Sequence, residues 1–489
     1  MLKKPYILLL LLVLLSILIM AFSKDDSLKS YGNEFKIDTY EEFDTDKEGL
    51  INVICNKNGS VTLNEVNEDG GNGEYISREI EVPNFEYMVV SWNSDTPEGT
   101  TVEIQAKVLV NHYEKDKSGK DIEVKTWTDW LSWGEWSPFI QRASVSPDDE
   151  LAYISVDELT IKGSKGETAS KVQLKVIFRS NNLNKPTVRM LHGTLKNTLK
   201  GQAIEKQFET TLNESDWDKN IETPSLSQMI RDPNIANSIC SPTTITMIMN
   251  GSGEKLLPEE VAQNTFDFNY GFGNWAFAMA SAGSYGYEAY VDYTTIEGLK
   301  QEIEKGYPVG VSVKYSNDIK NSSYPYVEGA PGVTGGHLIV VTGFEIGEDG
   351  KEYILVNDSY APDNETVSRK YKLKQFEKAW SKNTAYIIHE KEEGAGYAST
   401  KRINAELVAT ESPDAFQIMV EGEIFDINNF NGTLAYSLSN DENNFNSMEY
   451  NYFQELTNTD TLKFVESELS APLKLYVITD YGYVYVINR

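Results

Sequence analysis

The order of elements along the chain predicts an α+β protein. A mixed central domain, with helices before an antiparallel sheet, is flanked by an N-terminal β-sandwich and a small C-terminal β domain. Short strand-like runs broken by turn clusters fill 46–200; helical spacings and then alternating apolar runs fill 201–392; alternation returns over 398–489. The 489 residues are 40% hydrophobic and 24% charged, enough apolar material for several packed cores.

In the first region "ISREIEVPNFEYMVVSW", "TTVEIQAKVLV", "DIEVKTWTDW" and "KVQLKVIFRS" carry period-two alternation or β-branched and aromatic residues. The turns "NEDGGNGE", "SDTPEGT" and "EKDKSGK" separate them, a spacing that fits a sandwich. Within it Trp127, Trp130, Trp133 and Trp136 recur at steps of three. Aromatic faces can stack on sugar rings, but a hairpin filling a sandwich core gives the same pattern, and the core reading is preferred. In the central region one helix follows Cys240, a second opens at Pro258 in "LPEEVAQNTF", and a third, "IEGLKQEIEKG", closes at Gly306. The strands "YPVGVSVKY", "HLIVVTGFEI" and "EYILVND" come next. The tail alternates again in "RINAELVAT", "FQIMVEGEIF" and "LKLYVITDYGYVYVINR".

The chain opens "MLKKPYILLLLLVLLSILIMAFSKDD": two lysines, an apolar run over 6–22, then small and acidic residues. Residues 1–23 therefore read as an export signal, or as an uncleaved anchor, since the run is nearly long enough to span a bilayer. The expected location is secreted or cell-surface. Residues 24–45, polar and charged, read as a linker. A net charge of −30, from 44 basic and 74 acidic residues, repels phosphates and anionic lipid. It excludes nucleic acid as a partner and leaves membrane contact to the N-terminal segment alone. Export would permit a Cys55–Cys240 disulfide, but the two cysteines fall in different predicted domains, and no bridge is expected. Neither "DTDKEG" nor "NEDGGNGE" has convincing metal-ligand spacing, and both read as plain turns, so no metal or other cofactor is expected.

One of these two cysteines stands in "SICSPTTITMIMNG". Ser241 suits the N-cap and Pro242 the first helical position, with Ile245, Ile248 and Met249 forming a buried stripe and Asn250-Gly251 the stop. Cys240 thus sits at a helix N-terminus, where free N–H groups and the macrodipole favour a thiolate. A thiolate nucleophile needs a basic partner, and there are four histidines. His112 and His192 lie in the first β region, and His389 closes a strand as an exposed edge residue. His337 opens "HLIVVTGF" directly after "GVTGG", within the same region as Cys240. The next strand ends "ILVNDSY", and adjacent antiparallel strands can set Asp358 beside His337 to orient the imidazole.

These three segments, "CSPTTITMIMN", "GGHLIVVTGF" and "ILVNDSY", resemble the C39-like cysteine peptidase family in its stand-alone form. The resemblance covers about 190 residues, from Gln202 to Glu390, and implies a papain-like fold with Cys240 as nucleophile, His337 as base and Asp358 as its orienting partner. It also implies an oxyanion-hole glutamine upstream of the cysteine, for which "PSLSQMIRDPNIANSICSP" supplies Gln228. The implied activity is hydrolysis of peptide or isopeptide bonds in a peptide or protein substrate, without a cofactor. "SYPYVEGAPGVTGG" and "YGFGNW" read equally as walls of the cleft and as ordinary surface loops. The resemblance does not reach the β domains, for which a wall or surface polymer is one possible partner. The same triad would serve an acyltransferase, and a silent surface-binding protein is the reading from a different class.

Overall fold

The structure is a computed structural model. It describes residues 27–396 except positions 46, 207, 209–210, 322 and 393–394, and beyond them the strands between 402 and 488. The N-terminal apolar run lies outside the described residues. Among those described, no helix is long and apolar enough to cross a membrane. The protein is α+β and rich in strand.

Two sheets fill the first region. The long strands Thr100–Lys115 and Thr168–Ser180 pair antiparallel through twelve positions, Thr100 opposite Ser180 and Asn111 opposite Thr168. Their alternation is strict: Val102, Ile104, Ala106, Val108 and Val110 are buried, while the residues between them face outward. The second sheet centres on Tyr87–Asp95 paired with Thr187–Lys196. These two strands are buried on both faces, which explains why "MVVSWNS" reads as a nearly continuous run of apolar and small residues. One face meets the first sheet; the other meets the central region.

The tryptophan series divides between core and surface. Trp133 and Trp136 are fully buried, and Trp136 meets Trp92 edge-on at 6.4 Å between centroids. Trp127 and Trp130 are half-buried on the outer face, where Lys107 lies 5.0 Å from each ring and Lys175 lies 4.4 Å from Trp130. Only two of the four therefore fill the core. The linker expected over 24–45 is corrected as well. Leu28–Lys29 and Glu34–Ile37 join the sheets, and Phe35, Ile37 and Phe43 are buried. The Phe35 ring occupies the space beside Gly193, where a Cβ would come within 2.1 Å of it. A four-residue strand is too short to show a period, so its alternation passed as polar linker.

The central sheet has the order Tyr287–Tyr293, Trp380–Lys391, Val309–Ser316, Val333–Ile346, Glu352–Asn357, Ser368–Lys372, with all five pairings antiparallel. The helices Cys240–Gly251, Pro258–Thr265 and Trp275–Ser284 pack together at one side. Cys240–Gly251 is buried from Ser241 to Asn250, on every face and not along one stripe. Two of its three buried threonines turn back on the helix: Thr243 Oγ1 donates to Ile239 O at 2.7 Å and Thr246 Oγ1 to Pro242 O at 2.8 Å.

The boundary near residue 200 is not a break in packing. Phe277 of Trp275–Ser284 inserts between Trp92 and Trp136, 6.2 Å and 5.5 Å from their centroids. Asp157 accepts the Trp275 N–H at 2.6 Å at the start of that helix, and burial pushes the Asp157 carboxyl up to about 7. Among the described residues the outer strand Tyr287–Tyr293 has no paired strand on its far side; side chains of the first region close it instead. Asn93 donates to Ala289 O at 2.8 Å and accepts from Ala289 N at 3.1 Å. Ser91 Oγ accepts from Val291 N at 2.9 Å, Thr194 Oγ1 from Tyr293 N at 3.0 Å, and Asn33 donates to Tyr293 O at 2.7 Å. The backbone groups of alternate residues are thus satisfied one by one.

The C-terminal strands form one further sheet, in which Arg402–Ala409 runs parallel to Val484–Asn488 and antiparallel to Ala415–Val420.

Candidate active site

Cys240 is the first residue of its helix, with Ile239 at the N-cap. The cap expected of Ser241 is not made: Ser241 lies inside the first turn, buried, with its hydroxyl 3.0 Å from the Tyr386 hydroxyl. Pro242 also falls within that turn, where a missing N–H costs nothing because no intrahelical partner exists for it. Cys240 keeps partial solvent exposure, and both cysteines are free thiols. Cys55 donates weakly to Phe43 O at 3.4 Å, and burial pushes its thiol up to about 11.

His337 lies on Val333–Ile346 beside a β-bulge. It pairs with Val313, whereas Tyr315 pairs with Thr334, so three steps on one strand span two on the other. The extra residue falls at Gly335-Gly336. A Cβ at Gly335 would sit 2.6 Å from the Tyr324 hydroxyl, and one at Gly332 would sit 2.7 Å from the Tyr360 ring, so the "GAPGVTGG" segment lies flat beneath two aromatic residues. The imidazole is framed by Tyr315 and Tyr360, with centroids at 6.1 Å and 5.9 Å.

His337 Nε2 is 2.8 Å from Asp358 Oδ1, and the neighbouring strand Glu352–Asn357 delivers that carboxylate. Asp358 is fully buried and accepts three more bonds: Tyr360 N at 3.1 Å, Tyr315 Oη at 2.7 Å and Tyr371 Oη at 2.8 Å. Burial works against its charge, yet the His337 charge and the bonds from His337, Tyr315 and Tyr371 hold the carboxyl below its ordinary range. With Nε2 committed to Asp358, Nδ1 is the nitrogen left for the sulfur.

The sulfur and the ring act on each other. For Cys240 burial opposes the thiolate, but the hydrogen bond and charge of His337, with the N–H groups of Leu338 and Ser241, draw the thiol below its ordinary value. For His337 burial opposes the cation, but Asp358 and Cys240 push it up to about 10. Both shifts favour the charged pair, a thiolate beside an imidazolium, over the neutral one.

Gln228 is buried at the head of the short helix Gln228–Ile230. Its Nε2 donates to Ala236 O at 2.7 Å, and its Oε1 accepts from Ser359 Oγ at 2.8 Å. It therefore bridges the segment entering Cys240 and the residue after Asp358, with one N–H of its amide still to donate. The intervening loop folds back on a buried ion pair, in which Arg231 Nε and Nη2 bind Glu259 at 3.0 and 2.7 Å.

The other histidines are engaged elsewhere. His112 meets Thr126 Oγ1 at 2.9 Å; His192 is buried against Tyr290 and lies 3.3 Å from Glu34 Oε2. His389 is not the exposed edge residue expected of it: Nε2 binds Glu302 Oε2 at 2.7 Å and the ring packs on Tyr307. Among the described residues no group of three or more His, Cys, Asp or Glu is placed to hold a metal ion. Sequence reasoning missed Tyr315 and Tyr371. Each marks only an alternate position in its own strand, and nothing local ties either to Asp358.

A thiol heading a buried helix, an imidazole on an antiparallel sheet and a carboxylate on the adjoining strand form an arrangement able to carry nucleophilic thiol chemistry. In keeping with this, residues 220–388 match the model of the Peptidase_C39 like family, and residues 52–195 match the Peptidase C39 N-terminal domain. The chain carries a C39-like peptidase domain. No curated protein matches it. A solved structure described as TmCBM61 in complex with beta-1,4-galactotriose is 13% identical over 34% of this chain and 91% of its own, with a TM-score of 0.15, too low to carry an argument.

Proposed function

We propose that this protein is an exported cysteine peptidase that hydrolyses peptide or isopeptide bonds through Cys240, His337 and Asp358. The observation that carries the reading is the continuous chain from sulfur to imidazole to a four-times hydrogen-bonded carboxylate. The Cys240 thiolate adds to the scissile carbonyl carbon, and the carbonyl oxygen takes the negative charge. Gln228 Nε2 and the Cys240 N–H are the donors proposed for that oxygen. Collapse breaks the C–N bond, and His337 gives its Nδ1 proton to the departing amine, leaving a thioester. His337, now neutral, takes a proton from water as the hydroxyl adds to the thioester; the thiolate leaves and the acid product departs. Asp358 keeps the ring oriented and its cationic form favoured. Export rests on the basic and apolar start of the chain.

The test is cleavage of a pool of unrelated peptides by the wild type and by Cys240→Ser, read by mass spectrometry together with the mass of the Cys240 peptide. Cleavage lost in the variant, with a transient acyl adduct on Cys240, supports hydrolysis. An adduct that passes only to an added amine would make the protein an acyltransferase. Neither adduct nor cleavage would leave a binding protein.

A further inference from the structure

We propose that the outer face of the N-terminal sandwich binds an acidic glycan, a chain of pyranose rings carrying carboxylate groups, at Trp127, Trp130, Lys107 and Lys175; this is independent of the thiol chemistry. Residues 128–130 interrupt two strands, Asp121–Trp127 and Leu131–Trp136, that both pair with Thr100–Lys115, Trp127 opposite Leu109 and Leu131 opposite Ala106. The interruption is pinned, since Thr128 N donates to Val108 O at 3.0 Å and Thr128 Oγ1 accepts from Val108 N at 3.1 Å. Both indoles are thereby held half-buried beside Lys107, and Trp130 beside Lys175 as well.

The charges on this face call for an anion. Lys107 stands opposite Gln173 and Lys175 opposite Gln105, so the two lysines are diagonal neighbours on one face of paired strands. Two like charges so placed repel. Other part-buried lysines meet a carboxylate: Lys171 lies 2.8 Å from Glu79, Lys300 2.9 Å from Glu352, and Lys206 between Glu34 and Asp292 at 3.0 and 2.8 Å. Among the described residues Lys107 and Lys175 have no such partner, in a chain with 74 acidic and 44 basic residues. Indole rings stand where the acids would, and an ammonium beside a ring keeps N–H groups for a carboxylate from outside. The net charge of −30 does not forbid this. Salt screens it beyond about 10 Å, and the charges in contact decide.

The remaining groups favour a sugar over a peptide. Two adjoining indoles offer flat apolar surface to the C–H groups of a pyranose. Trp133 Nε1 donates to Asp157 O at 2.8 Å, whereas the indole N–H groups of Trp127 and Trp130 have no acceptor among the described residues. Gln173 and Gln105 are each fixed by Nε2, which donates to Ser77 O at 2.8 Å and to Glu103 Oε1 at 2.7 Å, leaving both Oε1 atoms to accept from hydroxyls. An extended peptide would need an open strand edge, but Thr100–Lys115 and Thr168–Ser180 are paired along both of theirs. A recess of about 680 Å³ continues the surface, lined by Lys107, Trp130 and Gln173 with Thr45, Glu48 and Arg78. A second, of about 710 Å³, is lined by Asn72, Thr101, Arg179 and Asn182. Arg179 projects from the same strand face as Lys175, about 13 Å further along. Two recesses on one face suit a polymer better than a single sugar.

The experiment measures calorimetric binding of the full chain to polygalacturonate, alginate and hyaluronate, each beside its carboxyl-reduced neutral form, with polyglutamate as the acidic peptide. At least one acidic glycan is expected to bind about tenfold more tightly than its reduced form and than polyglutamate, as one charge-assisted contact implies. The double variant Lys107→Gln, Lys175→Gln should lose the preference for the carboxylated form. Trp130→Ala should weaken binding about tenfold, and Lys107→Arg should retain it, with an unchanged urea midpoint as the check of folding. Binding of none of the three glycans, or equal binding of acidic and reduced forms, would overturn the proposal. Polyglutamate bound as tightly would make the face a peptide site instead. Glycan binding undiminished in folded Trp130→Ala and in the lysine double variant would place the ligand elsewhere and overturn the assignment.

Discussion

Replacing His337 with alanine isolates what the imidazole does for the sulfur. In the wild type, burial disfavours the Cys240 thiolate and four influences oppose it: the His337 hydrogen bond, the His337 charge and the N–H groups of Leu338 and Ser241. The variant loses the two largest of these and keeps the burial, so the thiol moves back up toward its ordinary value. The wild-type sulfur keeps both, beside an imidazolium that persists up to about 10, so a larger share of it is thiolate at the same acidic pH. A paired, low-pKa thiolate is intrinsically the weaker nucleophile, which recovers part of the difference. The expected net loss of iodoacetamide reactivity is about 100-fold. The assay follows Cys240 and Cys55 by mass spectrometry from acid to alkaline pH. Wild-type Cys240 should reach its plateau well below pH 9 and the variant should not, while Cys55, pushed up to about 11, should label slowly in both. A variant within about threefold of wild type at pH 6 would refute the ion pair.

Three other perturbations have defined outcomes. Tyr315→Phe removes one charge-assisted bond from Asp358 and should cost about 1.5–3 kcal/mol in urea unfolding at neutral pH. Because the Asp358 carboxyl is depressed, the stability it confers is present above its unfolded value of 3.8 and lost as pH falls through the folded one; the penalty should therefore shrink in strong acid. Asp157 is the opposite case: raised to about 7, it confers stability that is full below 3.8 and lost as pH rises to 7. Over that window wild-type stability should drop by up to about 1.4 kcal/mol per pH unit relative to Asp157→Asn, and parallel curves would contradict the assignment. Asn93→Ala leaves the Ala289 N–H and C=O unpaired in a buried seam, and about 2–5 kcal/mol of lost stability is expected in the same assay. A loss under about 0.5 kcal/mol would mean that water replaces both bonds.

Much of the site could be read from local pattern because its parts are local signals. A cysteine before Ser-Pro and an apolar run marks a helix start, a histidine after paired glycines marks a strand opening, and an aspartate at a strand end marks a turn. The structure sets Asp358 beside His337 on adjoining strands, with Cys240 at the head of a helix packed against them. Tyr315 and Tyr371 were not legible because their role depends on register across four strands, which no single segment encodes. The Ser241 cap failed for a different reason. Its hydroxyl had a competing partner, Tyr386, 145 positions away in sequence. The linker over 24–45 was misread because Phe35 and Ile37 derive their burial from Gly193 and the second sheet, not from any period of their own. Adjacent regions of different character looked like separable domains for the same reason: composition shows no seam that is made by Asn33, Ser91, Asn93 and Thr194 side chains.

That seam has a consequence for the protein's solubility. Side chains, not a strand, close the margin of the central sheet at Ala289, Val291 and Tyr293. A peptidase region cut free of the sandwich would present these amides and carbonyls as an open template for another copy. Separating the two regions, even with every one of Cys240, His337 and Asp358 retained, would then expose a pairing edge that the intact chain keeps covered. The first region acts in effect as a built-in chaperone for the sheet that carries His337.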